Sequence, residues 1–154
     1  MKSRTRHKKR DTTSQRIKHM LGERRELFAL LLRVSGQTHH GQDEPDADLL
    51  EKFCELVVDY IAAGHFGLYQ RIAEGKERRN KVVALARTIY PEIERTTQIA
   101  MAFSEKYTID GKHDRPDRLQ NDLSEVGEEL TTRIELEDQL IAAVLDGNKD
   151  SPIH

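Results

Sequence analysis

The sequence predicts an all-α protein, an antiparallel four-helix bundle with a kinked third helix and a disordered basic N-terminal tail. Three observations carry this. Apolar residues recur at intervals of three and four along four long segments, the spacing that lines one face of a helix. The chain has only 9 Gly and 4 Pro in 154 residues, too few for the many turns of a β-rich protein. Short polar stretches join the segments, and short connections set successive helices antiparallel.

The first helix is expected over residues 14–34, with Ile17, Met20, Leu21, Leu27, Phe28, Leu31 and Val34 at helical spacing. Ser35-Gly36 should stop it, since Gly accepts the left-handed conformation that follows a helix. A polar loop over 37–44 contains His39-His40. The second helix begins near Pro45-Asp46, where Asp46 or Asp48 can cap it and Pro has no amide hydrogen to lose. It carries Leu50, Phe53, Cys54, Val57, Ile61, Leu68 and Ile72 and should end at Gly75. The third alternates threes and fours through Val82, Ala86, Ile89, Ile93, Thr96, Ala100, Phe103 and Tyr107. Pro91 lies inside it, which predicts a kink or break near Tyr90. After a turn over 109–116 the fourth helix runs over 117–146 and stops at Gly147-Asn148. The chain thus divides into a basic flexible tail (1–13), a bundle (14–147) and a C-terminal tail (148–154).

Charge is distributed unevenly. The formal net charge is −2, yet residues 1–10 hold six of the 25 Lys and Arg and no acid, leaving 19 basic against 27 acidic residues elsewhere. An acidic body more often meets a basic protein than a nucleic acid. The tail itself has two readings, a solvated arm or a contact with nucleic-acid phosphates. Cys54 is the single cysteine, so no disulfide can form within the chain and a reducing compartment is the default. No apolar stretch follows the basic start and none reaches membrane-spanning length, so the expectation is a soluble cytoplasmic protein without membrane contact.

The second helix is the informative one. Stepping about 100° per residue puts Leu50, Val57, Ile61 and Leu68 on one side as the core stripe. Opposite them fall Lys52, Glu55, Asp59, Ala63, Phe66 and Gln70, with Ala62 at the flank. A bulky Phe66 therefore sits where an exposed helix should be polar, over a floor of small residues and two turns from an acid. That combination suits a binding patch, although a neighbouring helix covering Phe66 satisfies the same pattern. Periodicity does not decide between the two.

The stretch from Phe53 to Tyr69, with Asp59-Tyr60-Ile61-Ala62-Ala63-Gly64-His65-Phe66 at its centre, resembles the FCxxLVDYxSAGHFxxYE signature of the Rsd/AlgQ anti-sigma regulators. Gln70 stands in place of that signature's acid. Ile89-Tyr90-Pro91 with Thr97-Gln98 is similar to a second block of the family. Leu123-Ser124-Glu125-Val126-Gly127-Glu128, with Arg133, Leu136-Glu137-Asp138 and Leu140-Ile141, is similar to a third. In the first helix Met20 stands where the family has Trp, and the basic tail is no part of the pattern. The resemblance implies a protein without cofactor or catalytic activity that binds domain 4 of the primary sigma factor one to one. That domain is a basic helix-turn-helix module reading the −35 promoter element and contacting core RNA polymerase. The resemblance also gives Asp59 the central role in sigma binding, and the patch around it makes Glu55, Ala62, Ala63, His65, Phe66 and Tyr69 its expected companions.

Other residues carry weaker signals. Arg133 and Glu137 fall on the core line of the fourth helix, either as an ion pair at i, i+4 or as walls of a polar cavity. His65 borders the core stripe, as a hydrogen-bonded structural residue or as a patch contact. No His follows a Glu by three residues as carboxylate-bridged metal bundles require, so no metal site is expected. Asp110 and His113 have that separation only within a loop. No phosphate loop or nucleophile motif occurs, so no catalytic constellation is expected. The rival to the anti-sigma reading is an adaptor for a signalling or phosphotransferase-system protein, as some family members bind the phosphocarrier protein.

Overall fold

The computed structural model describes residues 2–39, 47–108 and 116–146, with side chains for 13–36, 48–107 and 118–146. Every regular element among them is helical: α1 (Lys2–His39), α2 (Ala47–Gly64), a π-helical turn (His65–Tyr69), α3 (Gln70–Ala73), α4 (Asn80–Thr108) and α5 (Pro116–Asp146). The π turn joins α2 to α3 without a gap, so the chain forms four long columns.

Leu21 and Phe28 of α1 and Ile61 and Ile72 of the second column are only half-buried, with Tyr60 inward where Ile61 was expected, but most of the residues that the three-four spacing selects are buried. In α4 these are Val82, Ala86, Ile89, Ile93, Thr96, Ala100, Phe103 and Tyr107, and in α5 Leu119, Leu123, Val126, Leu130, Arg133, Glu137, Leu140 and Val144. This near-heptad repeat keeps one seam facing the neighbours along the whole helix. Each fully buried Leu, Val or Phe contributes about 1.5–3 kcal/mol. The columns close into a ring in which α1 packs on α2, α2 on α4, α4 on α5 and α5 on α1.

The ring is antiparallel throughout. Arg16 lies against Gly67 while Arg24 bonds Tyr60, so α2 descends as α1 ascends. Ser104 donates to the Cys54 carbonyl at 3.2 Å and Tyr90 meets Tyr69 edge to face. Arg95 pairs with Glu129 and Lys106 with Asp122, each at 2.8 Å, which fixes α4 against α5. Arg24 reaches Asp138 at 2.7 Å, and a side chain on Gly127 would touch Leu31, which closes α5 onto α1.

The ends of the elements follow local chemistry. After α3, Gly75 takes φ 72, and the amides of Gly75 and Lys76 donate to the carbonyls of Ile72 and Arg71. This double bond pattern is the glycine-terminated cap that Gly75 was expected to form. Gly36 behaves otherwise: it stays helical and α1 continues to His39. A glycine permits a left-handed cap but does not force one, and space beside Gly36 is open. At the other end α1 starts at Lys2, not at residue 14, so the basic segment expected as a disordered tail is helical in its backbone. Lys and Arg are good helix formers, and no Gly or Pro interrupts the run before Gly22. α4 runs through Pro91 without the break that its ring could cause. Pro91 and Arg87 are both exposed, so the Arg87 carbonyl left without an amide partner can meet water. The loop over 37–44, the Pro45-Asp46 start and the tail 148–154 lie outside the fully described residues. No described helix is long and apolar enough to cross a membrane.

Candidate partner-binding groove

α1 and α2 border, on their outer side, a groove of about 560 Å³. α2 supplies Asp59, Ala62 and Ala63, the π turn supplies Phe66 and Gly67, and α1 supplies Gln15, Arg16, His19 and Glu23. Phe66 is 55% exposed, so no neighbouring helix covers it. The small side chains explain the gap: Ala62 and Ala63 leave room that a Leu or Lys would fill. Asp59 is exposed at one edge, and Glu23 faces it from α1. One Glu23 oxygen is buried with no hydrogen-bond partner, while the other lies 3.6 Å from His19. An unsatisfied buried carboxylate oxygen favours a donor arriving from outside. The groove thus offers an aromatic surface, a small-residue floor and two carboxylates.

Behind the groove wall a polar layer crosses the core. Arg133, 2% exposed, donates through Nε to Glu137 Oε2 at 3.0 Å, the i, i+4 pair that the sequence allowed. Its other end donates to Thr96 and Thr97 and to the Ile93 carbonyl on α4. Glu137, fully buried, accepts from the Tyr60 hydroxyl of α2. Arg24 of α1 donates to Tyr60 at 3.0 Å and to Asp138 at 2.7 Å, with Glu137 3.6 Å away. Burial raises the Glu137 carboxyl above the ordinary carboxylate range, and the opposing pull of Arg133, Tyr60 and Arg24 does not cancel it. Burial, then the Glu137 charge, likewise raises the Tyr60 and Tyr69 hydroxyls. For Arg24, burial works against the charge, yet Tyr60 and Asp138 outweigh it and the net shift is upward. All four columns contribute to this layer.

The expected site residues therefore separate. Asp59, Ala62, Ala63 and Phe66 line the groove together. Glu55 and His65 are exposed beside it, and the His65 ring meets Phe66 edge to face at 5.2 Å. Tyr69 does not join them. It is 6% exposed and faces inward, because the wider π turn brings both Leu68 and Tyr69 into the core. Arg133 and Glu137 belong to the buried layer, and neither lines the groove. Met20, in place of the family Trp, is wholly buried and its terminal methyl sits near Gly64. No metal-holding group of His, Cys, Asp and Glu occurs among the described residues, while the side chains of His39, His40, Asp110 and His113 lie outside them. Residues from α1 escaped the sequence reading because it sought the patch on one helix. Glu23 and Arg24 carried a signal, being charged at and beside a position that the stripe Ile17, Met20, Leu27 assigns to the interior.

A closed helical bundle with an internally paired polar layer and open grooves on its outer faces, among them the one holding Asp59 and Phe66, is built as a regulatory binding protein. The chain belongs to the Rsd/AlgQ family, described as regulator of RNA polymerase sigma(70) subunit, whose model matches residues 1–145. The match includes the basic N-terminal segment that the resemblance left out. Among its relatives is a regulator of sigma D from Yersinia enterocolitica, 37% identical over 133 residues, covering 84% of this chain and 80% of that protein. A regulator of sigma D from Yersinia pseudotuberculosis is 34% identical over 155 residues, covering 92% of each chain. One from Enterobacter is 41% identical over 101 residues, covering 64% of this chain and 60% of its own. No solved structure matches the chain. The family is one of regulators that act by binding, so the chain is a regulatory binding protein and not an enzyme.

Proposed function

We propose that the chain is an anti-sigma factor that binds domain 4 of the primary sigma factor one to one. By covering that domain it blocks −35 promoter recognition and contact with core RNA polymerase. The observation that carries the reading is the open groove in which Asp59 and Phe66 stand together over Ala62 and Ala63. Asp59 takes an Arg or Lys of sigma, Glu23 adds a second carboxylate from α1, and Phe66 receives an apolar side chain. Complementary charge speeds encounter and excludes wrong partners, and the acidic body suits a basic helix-turn-helix module.

The test is titration of purified sigma domain 4 against the parent chain and Asp59→Ala at moderate salt. Losing one partner of a desolvated pair costs about 2–5 kcal/mol, so binding should weaken roughly 30-fold or more. Unchanged affinity would remove Asp59 from the interface. No binding by the parent chain would discard the anti-sigma reading, and capture of the phosphocarrier protein instead would favour the adaptor.

A further inference from the structure

We propose that the end of the bundle where α1 begins and α3 turns into α4 is a nucleic-acid-binding surface that grips the phosphate backbone. The antiparallel ring brings these parts together. The Arg16 carbonyl of α1 lies against Gly67, so the residues before Arg16 run beside α3 and then past its end at Ala73. That stretch of α1 carries Lys2, Arg4, Arg6, Lys8, Lys9 and Arg10, with no acid before Asp11. Arg71, Lys76, Arg78 and Lys81 are exposed at the same end. Of the acids nearby, Glu74 pairs with Lys76 at 2.9 Å and Glu77 with Arg71 at 3.0 Å and Arg79 at 2.7 Å. Asp146 at the end of α5 is exposed and makes no ion pair with described residues, so cations remain in excess at this end. Arg16, Arg78 and Lys81 make no ion pair with described residues.

Length and composition select the partner. Residues 2–10 as a helix rise about 13 Å, over which duplex DNA carries about eight phosphates. Six positive charges nearly match that density. From Lys2 to Arg16 there is no aliphatic residue and no Phe, Tyr or Trp, and the first large apolar side chain after Lys2 is Ile17. A helix that lies in a membrane interface needs an apolar face to bury, and this one has none. A basic protein domain, the partner proposed for the groove, would be repelled from this end, so the two surfaces serve different ligands. Binding here is sequence-independent, as backbone contacts are.

The experiment is fluorescence anisotropy of a labelled DNA duplex, with an RNA duplex in parallel, titrated with the full chain from about 50 to 200 mM salt. Six neutralised phosphates predict a slope of log affinity against log salt of about −5 for either duplex. Replacing Lys2, Arg4, Arg6, Lys8, Lys9 and Arg10 by Gln keeps helix propensity while removing the charge. That variant should lose at least about tenfold in affinity at low salt and most of the slope, with an unchanged circular dichroism spectrum. No binding by the parent at about 50 mM salt, or equal binding by the variant, would overturn the proposal. So would preference for vesicles of phosphatidylglycerol and phosphatidylcholine over either duplex, since that would mark an anionic lipid surface as the ligand. Sigma titration of the same preparations separates this outcome from the groove: the Gln variant should still bind sigma, and Asp59→Ala should still bind the duplex.

Discussion

Arg24 is the residue at which three columns meet, through Tyr60 on α2 and Glu137 and Asp138 on α5. A buried ion pair is weak evidence of net stability, because desolvation offsets much of the attraction. Removing one member is another matter and typically costs about 3–5 kcal/mol. The layer therefore holds its members in place, and this bears on Gly64. A Cβ there would come within 3.2 Å of Glu137 Oε2. That oxygen is held by Arg133 and its fellow oxygen by Tyr60, so it cannot move aside freely. Gly64→Ala should accordingly destabilise the protein, although in an open helix it would gain up to about 1 kcal/mol of propensity. A rise in the urea midpoint would show that the layer gives way to the added methyl group. Arg133 and Glu137 were legible in the sequence because a charge on a core stripe demands a partner. Tyr69 was not, since its direction depends on a π turn that periodicity of 3.6 does not anticipate.

At the scale of elements, the connection between α3 and α4 acts as a clasp. Glu77 accepts from the Arg79 guanidinium and amide, and Arg79 also donates to the Val144 carbonyl in the last turn of α5 at 2.8 Å. A cation at a helix C-terminus satisfies carbonyls that lack an intrahelical partner and favours the helix dipole. Burial raises the Glu77 carboxyl, but bonds from Arg79 and the charge of Arg71 outweigh it and hold it below its ordinary 4.5. A carboxyl depressed in the folded state stabilises above its unfolded value and loses that contribution as pH falls through the folded value. Glu77→Gln should thus lower stability at neutral pH, with the gap to the parent closing below about pH 4. Urea melts at stepped pH measure this, and a gap independent of pH would refute the ionic account. The helices themselves were legible from spacing, whereas their ends were less so. Gly75 ended its helix as expected, yet Gly36 did not, because the glycine signal states a permission and the surroundings decide its use.

Taken as a whole molecule, the bundle is closed by contact between its first and last helices. No column buries its stripe against one neighbour alone, and α5 carries both members of the Arg133–Glu137 pair. A chain ending at residue 115 should therefore lack a cooperative thermal transition while keeping helical circular dichroism. A sharp transition at the full chain's midpoint would show that three columns suffice. Ring closure was legible from four amphipathic segments and short loops. The groove was not, because its walls come from two helices and the π turn, and no one helix's pattern shows which outer face stays uncovered. Closure also has a consequence for birth of the protein on the ribosome. Arg24 and Asp138 are 114 residues apart. At about 5–20 residues per second, Arg24 waits roughly 6–23 seconds for its partner to be made. Through that interval the nascent chain shows unpaired apolar stripes, which makes it a customer for whatever chaperone meets it at the exit.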